Sequence, residues 1–162
     1  MLSSDQLQPL RPSDCIAVRE VYADAIESQG KVFYTKKQIQ AWSELAWVPG
    51  ILDPPLFHGR GWISFENQNI AAFAVRYPLD RLALLYCRGC FSRRGHGSLL
   101  LDHVEQEAFD EGQTRLETEA SLFSYPLLLR RGWKFIAIEK IEIGGVSFDR
   151  YLMEKVFNQC SG

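Results

Sequence analysis

The chain has 162 residues, of which 46% are apolar, 12% aromatic and 23% charged. This composition is that of a globular protein rather than a disordered tail or a fibre, and the length predicts one domain over residues 1–162. The net charge of -2 provides no broad positive field for phosphate backbones, so we expect no nucleic-acid partner.

The first part of the chain predicts a short strand and two helices. Leu7 to Arg11 is strand-like, and Ser13 or Asp14 suits the start of a helix that should reach about Ser28. Thr35 should cap a second helix that continues to about residue 45 or 46. The prolines between residues 49 and 55 predict a connector without regular structure.

Strand patterns begin at Gly61, and a turn over residues 67–69 predicts a hairpin. In IAAFAVRY and in the following RLALLYC both faces are apolar, so these two strands should lie in mid-sheet. The segment SLLLDHVEQEAFDEG then has the apolar spacing of a helix that ends at Gly112.

The last third predicts a strand, a short helix and a hairpin. TRLETEAS is strand-like, and SYPLLLRR is a helix that tolerates Pro126 in its first turn. Lys134 to Ile143 and Val146 to Val156 should be long strands joined by a Gly-Gly turn. Strands that alternate with helices and then run antiparallel predict an α/β fold with a mixed sheet covered on both faces.

The cysteines and the apolar runs bear on location and metal binding. The start MLSSDQLQPL has no apolar run typical of a signal peptide, and four cysteines are too few for a disulfide scaffold, so we expect a cytoplasmic protein. The CRGC pair has no second pair to complete a zinc site, so we expect no metal. The apolar stretches fall short of the roughly 20 residues that span a bilayer, so we expect no membrane segment. The cysteines are Cys15, Cys87, Cys90 and Cys160.

The loop SRRGHGS, between a strand and a long helix, is the sharpest local feature. The first turn of a helix has unpaired amides that favour anions, and phosphates bind there. Gly95 and Gly97 would let the backbone approach a pyrophosphate, and Arg93 and Arg94 can add charge. A glycine loop that merely turns the chain is the alternative. The P-loop pattern is absent, and the dinucleotide fingerprint would need glycine at Leu100.

Several segments together resemble the GCN5-related N-acetyltransferase family. LYCRGCFSRRGHGSLLLDHVE is similar to that family's acetyl-CoA motif, and EASLFSYPLLLRRGWKFI is similar to a later family segment. YTKKQIQAW resembles the substrate-side helix opening of one bacterial branch, and the closing hairpin with YLMEK follows in the expected order. The resemblance covers most of the chain.

The resemblance implies an acyl-CoA N-acyltransferase fold, with a mostly antiparallel sheet that splays between its fourth and fifth strands. It implies acetyl-CoA as acetyl donor, direct transfer to a primary amine of a small molecule or peptide, and a monomer or homodimer. His96 should bind through its amide while its side chain faces solvent. The residues expected to contact acetyl-CoA are Leu85, Tyr86, Cys87, Ser92, Arg93, Arg94, Gly95, His96, Gly97, Ser98, Ser121 and Ser124.

Two positions depart from the family pattern. Ser92 replaces the usual Gln or Arg, and Leu128 stands where many members carry a tyrosine acid. The second departure means that the CoA thiolate leaves without a protein acid, or that Tyr125 or water supplies the proton. Because a thiol has a pKa of roughly 8.5, the thiolate can leave without being protonated by the protein.

An alkylamine is mostly protonated at neutral pH, so the reaction implied by the resemblance needs a base. Glu119 is the leading candidate, and Glu117 and Glu66 are alternatives; for each of them taken singly, an ordinary solvated or salt-bridged strand carboxylate is the more common case. Tyr34 and Trp42 are candidates for the wall of an acceptor pocket, although aromatic residues also build cores.

Two other functions stay open. A degenerate member of the family could bind acyl-CoA as a sensor without turnover, which Leu128 motivates. An interaction module could keep the fold and lack the cofactor, which Ser92 motivates.

Overall fold

The computed structural model describes residues 2–158. Short 3-10 turns at residues 4–6, 12–14, 44–47 and 89–91 complete the regular structure. The strands are β1 (Leu7–Pro9), β2 (Arg60–Glu66), β3 (Asn69–Arg76), β4 (Arg81–Cys87), β5 (Arg115–Ala120), β6 (Lys134–Ile143) and β7 (Val146–Val156). The helices are α1 (Cys15–Gly30), α2 (Lys36–Ser43), α3 (Asp53–His58), α4 (His96–Asp110) and α5 (Tyr125–Arg130).

The seven strands form one mixed sheet in the order β1-β2-β3-β4-β5-β7-β6. All neighbours are antiparallel except β4 and β5, which run parallel. The sequence predictions of an α/β class and of a mostly antiparallel sheet are confirmed.

Helices cover both faces of the sheet because the central strands are apolar on both sides. Residues 71–76 of β3 are all 0% exposed. One apolar cluster joins α1, β2, β3, β4 and Leu56 of α3. The other joins α4, α5, β5 and Met153 of β7 to the opposite face. The two-sided pattern in the sequence therefore identified the mid-sheet strands correctly.

The predicted connector over residues 49–55 was wrong in part, because α3 begins at Asp53. Pro54 and Pro55 lie in the first turn of this helix, where an N–H has no intrahelical partner and proline is tolerated. Leu56 is buried in the core, which gives a six-residue helix a reason to form here.

The ends of several elements followed local signals closely. The Thr35 hydroxyl accepts a 3.2 Å hydrogen bond from the Gln38 amide and caps α2, as the sequence predicted. Gly144 and Gly145 have φ of 56° and 79° in the β6–β7 turn, which favours glycine. The first strand is shorter than predicted and stops at Pro9.

Over residues 2–158, no helix is both long and apolar enough to cross a membrane. In the same part of the chain, no group of three or more His, Cys, Asp or Glu side chains is placed to hold a metal ion. Cys15, Cys87 and Cys90 are free thiols, and Cys160 lies outside the described residues.

Candidate functional site

The sheet opens between β4 and β5. The two strands pair only at Arg81 with Glu117 and at Leu82 with Thr118. The Thr118 hydroxyl donates a 2.7 Å hydrogen bond to the Leu82 carbonyl where the strands separate. Beyond that point, no residue between 2 and 158 pairs as a strand with the β5-facing edge of β4. The backbone groups of such an edge can bind an extended ligand as an added strand.

Leu85, Tyr86 and Cys87 lie on this edge of β4, and β3 pairs with their other side. The Cys87 carbonyl accepts a 2.5 Å hydrogen bond from the Gln29 side chain at the end of α1. Burial raises the pKa of the Cys87 thiol to about 12. The thiol is therefore protonated near neutral pH, and Cys87 lacks the thiolate that a nucleophile needs.

The loop after β4 leads into α4, whose N-terminus has no side-chain cap. Gly95 precedes α4 with φ of 96° and offers no side chain to cap it. The amides of the first helical turn have no intrahelical partner, so those of His96, Gly97 and Ser98 can bind an anion. The predicted residues Gly95, His96, Gly97 and Ser98 thus lie together at one helix N-terminus.

Gly97 also has a packing role that the sequence did not reveal. A Cβ at this position would lie 2.9 Å from Cδ2 of Leu127 in α5, closer than two such atoms approach. A side chain at this position would therefore have to displace the end of the Leu127 side chain.

The loop side chains differ in how free they are to bind a ligand. The Ser92 hydroxyl donates a 2.8 Å hydrogen bond to the Gly89 carbonyl, and Arg94 Nε lies 3.0 Å from Glu66 Oε1. Arg93 is exposed, and it pairs with no acidic side chain within residues 2–158. Arg93 is therefore the loop cation best able to meet a phosphate.

The prediction that the His96 side chain faces solvent is wrong. The residue is 1% exposed, and its Nδ1 lies 2.6 Å from the Ser64 hydroxyl of β2. Its Nε2 lies 3.6 Å from Glu66 Oε1. Burial lowers the pKa of His96, and the Glu66 charge opposes that shift. His96 therefore fastens the first turn of α4 to β2.

Ser121 and Ser124 build the entry to α5. The Ser121 amide donates to the Ser124 hydroxyl at 3.0 Å, and the Ser124 amide donates to the Ser121 hydroxyl at 3.1 Å. These two hydrogen bonds shape the segment between β5 and α5. Both serines also border a cavity in the opening between β4 and β5.

A cavity of about 230 Å³ lies where β4 and β5 part. Its polar and aromatic lining includes Tyr34 and Trp42, which were predicted for an acceptor pocket. The two rings lie 5.3 Å apart at their centroids, and Phe148 of β7 lies 6.1 Å from each. The predicted cofactor edge and the predicted acceptor wall therefore border one space.

The three candidate bases occupy different environments. Glu119 lines the cavity, and Arg81 binds it through Nε at 2.8 Å and 3.1 Å. Glu117 pairs with Arg115 outside the cavity, and Glu66 lies in the His96 cluster. Glu119 is thus the candidate base that the fold brings into the lining of the cavity.

Leu128 and Tyr125, the two α5 positions considered for the missing acid, lie in different environments. Leu128 lines the cavity and has no group that can donate a proton. Tyr125 is absent from the lining; its ring packs 5.1 Å from Tyr151 and 6.4 Å from Phe135. The geometry gives no support to Tyr125 as the donor in the cavity.

Sequence reasoning missed Arg81, Phe148 and Arg150, which also line the cavity. Arg150 pairs with Glu139 across the β6–β7 hairpin. Two signals were available in the sequence. Arg81 is a charged residue at the start of an apolar strand. Phe148 and Arg150 lie two positions apart on β7, so their side chains share one face.

Comparison with known proteins supports the fold independently of these details. No protein-family model matches the sequence, and no curated protein matches it. A GCN5-related N-acetyltransferase structure from Rhodopseudomonas palustris, also described as a class-II aminotransferase, is 22% identical with a TM-score of 0.91; the match covers 97% of this chain and 98% of that one.

Two further structures contain the coenzyme. PaiA N-acetyltransferase from Thermoplasma acidophilum, in complex with coenzyme A, is 16% identical with a TM-score of 0.72, and the match covers 93% and 98% of the two chains. YncA from Salmonella typhimurium, with its cofactor acetyl-CoA, is 18% identical with a TM-score of 0.64 and coverage of 96% and 95%. The chain therefore has the acyl-CoA N-acyltransferase fold of the GCN5-related N-acetyltransferases.

Proposed function

We propose that the protein is an acetyl-CoA-dependent N-acetyltransferase that moves an acetyl group directly to a primary amine of a small molecule or peptide. The observation that carries the proposal is the opening between β4 and β5. There the unpaired edge of β4 borders a cavity, and the loop that follows β4 leads into the uncapped N-terminus of α4. Structures of the same fold with coenzyme A or acetyl-CoA bound support it.

The residues present fit two parts of acetyl-CoA, the pyrophosphate and the pantetheine arm. The α4 amides from residue 96 to 98, with the Arg93 guanidinium, would hold the pyrophosphate. The free edge at Leu85 and Tyr86 would pair with the amide groups of the pantetheine arm. Bound there, acetyl-CoA supplies a thioester whose carbonyl carbon is open to attack by an amine.

Glu119 is the group that we assign to the acceptor's proton. It borders the cavity near the start of β4, where Arg81 binds it, and an ammonium must lose a proton before its nitrogen can attack. Arg81 holds the Glu119 carboxylate in place through its Nε and its Nη2. Proton transfer through a water molecule is compatible with that fixed position.

The acceptor pocket is mostly aromatic and apolar, with its charges paired. Tyr34, Trp42 and Phe148 form one wall. The two arginines in the lining are paired with carboxylates, Arg81 with Glu119 and Arg150 with Glu139. An amine carried on an apolar body fits such a pocket better than a polycation does.

Calorimetric titration with acetyl-CoA, and with CoA and ATP as comparison ligands, tests the cofactor site first. We expect saturable binding of acetyl-CoA and CoA and none of ATP. Absence of acetyl-CoA binding would discard the enzymatic proposal and favour an interaction module.

Turnover with a panel of amines then tests the base. Glu119→Gln should lower kcat by about 10²-fold or more and leave the acetyl-CoA Kd unchanged. Glu154→Gln, which alters an ion-paired carboxylate at Arg115 on the same sheet, is the matched control. A rate unaffected by Glu119→Gln would remove Glu119 as the base. Binding without turnover of any amine would favour the acyl-CoA sensor that Leu128 motivates.

A further inference from the structure

The cavity lacks an acid at the position that the family resemblance indicates. Leu128 occupies that place in the lining and is apolar. Tyr125, one turn earlier on α5, packs against Tyr151 and Phe135 instead. A proton for a departing thiolate therefore has to come from another element or from solvent.

Tyr34 lines the same cavity. It lies in the turn between α1 and α2, where its amide donates a 2.8 Å hydrogen bond to the Gly30 carbonyl. Trp42 packs edge-on to its ring at 5.3 Å, and Phe123 does so at 6.4 Å. The backbone and two aromatic neighbours thus hold the ring in one place.

The hydroxyl of Tyr34 reaches the segment that joins β5 to α5. It accepts a 2.9 Å hydrogen bond from the Leu122 amide, one residue beyond Ser121. A phenol accepts through oxygen lone pairs and donates through its single O–H. Among residues 2–158, no acceptor for that O–H accompanies the Leu122 contact. The phenolic proton is therefore available to a ligand in the cavity.

The groups around Tyr34 keep this proton on oxygen near neutral pH. Burial raises the pKa of Tyr34, the Leu122 amide opposes the shift, and Tyr151 of β7 adds to it. Tyr86 of β4 also interacts electrostatically with Tyr34, and its own pKa is raised well above the ordinary value by burial. The charged groups that line the cavity are Arg81, Glu119, Asp149 and Arg150. Arg81 pairs with Glu119, and Arg150 pairs with Glu139, which lies outside the lining.

We infer that Tyr34, on the turn between α1 and α2, donates the hydrogen bond and the proton to the sulfur that leaves in the acetyl transfer. This inference rests on the proposed function. The acceptor nitrogen bonds to the acetyl carbon, the carbon–sulfur bond breaks, and its electron pair goes to sulfur. Sulfur takes the proton from the Tyr34 oxygen. Glu119 takes the proton that the neutral amine loses on attack and releases it to solvent, and solvent returns one proton to the tyrosinate, so both side chains end the turnover as they began it.

Tyr34 can be tested without knowing the acceptor, through the thiol of bound CoA. CoA labelled with an NMR-active isotope at the methylene carbon next to sulfur reports the thiol pKa when it is titrated on the protein. A hydrogen bond to a charged acceptor favours the thiolate. Tyr34→Phe should therefore raise the pKa of the bound thiol by about one unit, a tenfold change in its ionisation constant. Tyr125→Phe should leave that pKa where it is in the wild type.

Two additional measurements separate chemistry from damage to the fold. The CoA Kd of Tyr34→Phe shows whether the Leu122 segment still supports binding after it loses its acceptor. Difluorotyrosine at position 34 keeps that acceptor and has a more acidic hydroxyl, so it should lower the thiol pKa. Opposite shifts from these two variants are not expected of a purely structural role.

Each result bears on one of the two proposals. If wild type binds CoA and its thiol pKa is the same in Tyr34→Phe and in the difluorotyrosine protein, the inference about Tyr34 is overturned while the proposed function stands. A shift in Tyr125→Phe alone would also overturn it and would assign the proton to Tyr125. Failure of wild type to bind CoA would overturn the proposed function, and the inference with it.

Discussion

Several polar side chains at the site bond to other parts of the protein and hold the backbone in place. His96 is buried between β2 and the α4 start, with Ser64 on one ring nitrogen and Glu66 near the other. Ser121 and Ser124 satisfy each other's amides. These polar contacts hold backbone segments in place, so the groups that would meet a ligand are mainly amides. Rigid placement of such amides is what anion binding requires.

His96 should make folding stability depend on pH in the weakly acidic range. Its pKa in the folded protein is lowered from 6.5 by burial, so the unfolded chain binds a proton that the folded chain resists. Stability is then fully present above about pH 6.5 and falls as the pH decreases below it.

Urea unfolding at a series of pH values checks this prediction. His96→Gln should flatten the decline that follows acidification from about pH 7 to about pH 5. His58→Gln, at an exposed position at the end of α3, should leave the decline unchanged. An equal decline in wild type and His96→Gln would show that His96 does not contribute to it.

At the scale of elements, a buried arginine ties the sheet to α4. Arg76 at the end of β3 is 0% exposed. Its guanidinium donates to Glu107 at 2.9 Å and to Glu111 at 2.7 Å, both on α4, and to the Leu79 carbonyl at 2.8 Å. Trp62 of β2 donates to Glu107 as well. The helix that would present its amides to a phosphate is therefore anchored at its other end by this network.

Arg76→Met should destabilise the protein by about 3 kcal/mol, because it leaves the partly buried Glu107 without a cation and Glu111 with only the exposed Arg60. Arg60→Met is the matched control, since Arg60 pairs with Glu111 at 2.6 Å but its side chain is 54% exposed. The control should cost less than about 1 kcal/mol. Denaturant unfolding measures both, and equal losses in the two variants would contradict an anchoring role for Arg76.

At the scale of the whole molecule, different helices cover the two faces of the sheet around its opening. The α1–α3 side carries the aromatic wall and Glu119, and the α4–α5 side carries the uncapped helix start. A ligand that fills the cavity contacts β4, the β5–α5 segment and α5 at once. Binding there should therefore stabilise the fold as a unit.

Acetyl-CoA at about 100 times its Kd should add about 2.7 kcal/mol to the stability of the folded state. For a chain of this size, that corresponds to a rise in Tm of roughly 5–10 °C. Scanning calorimetry with acetyl-CoA measures the shift, and the same concentration of ATP should produce none. A Tm that does not respond to acetyl-CoA would contradict the proposed site.

Most elements could be predicted because their signals are local. Helical spacing, the Thr35 cap and the Gly-Gly turn depend on neighbours within a few residues, and the bounds of β6 and β7 followed from them. The α3 helix was missed for a reason that is also local. Prolines end helices in general, but at the first turn they are tolerated, and burial of Leu56 decided the outcome.

The sequence by itself determined the fold class, the two-sided strands and the loop at the α4 start, because apolar periodicity and glycine placement are properties of short segments. Only the tertiary structure decided that His96 points inward, that Arg81 holds Glu119 and that Tyr34 meets Leu122. These partners lie 32, 38 and 88 residues apart in the chain. A side chain's partner depends on how the sheet brings distant segments together, and that information is absent from any one segment.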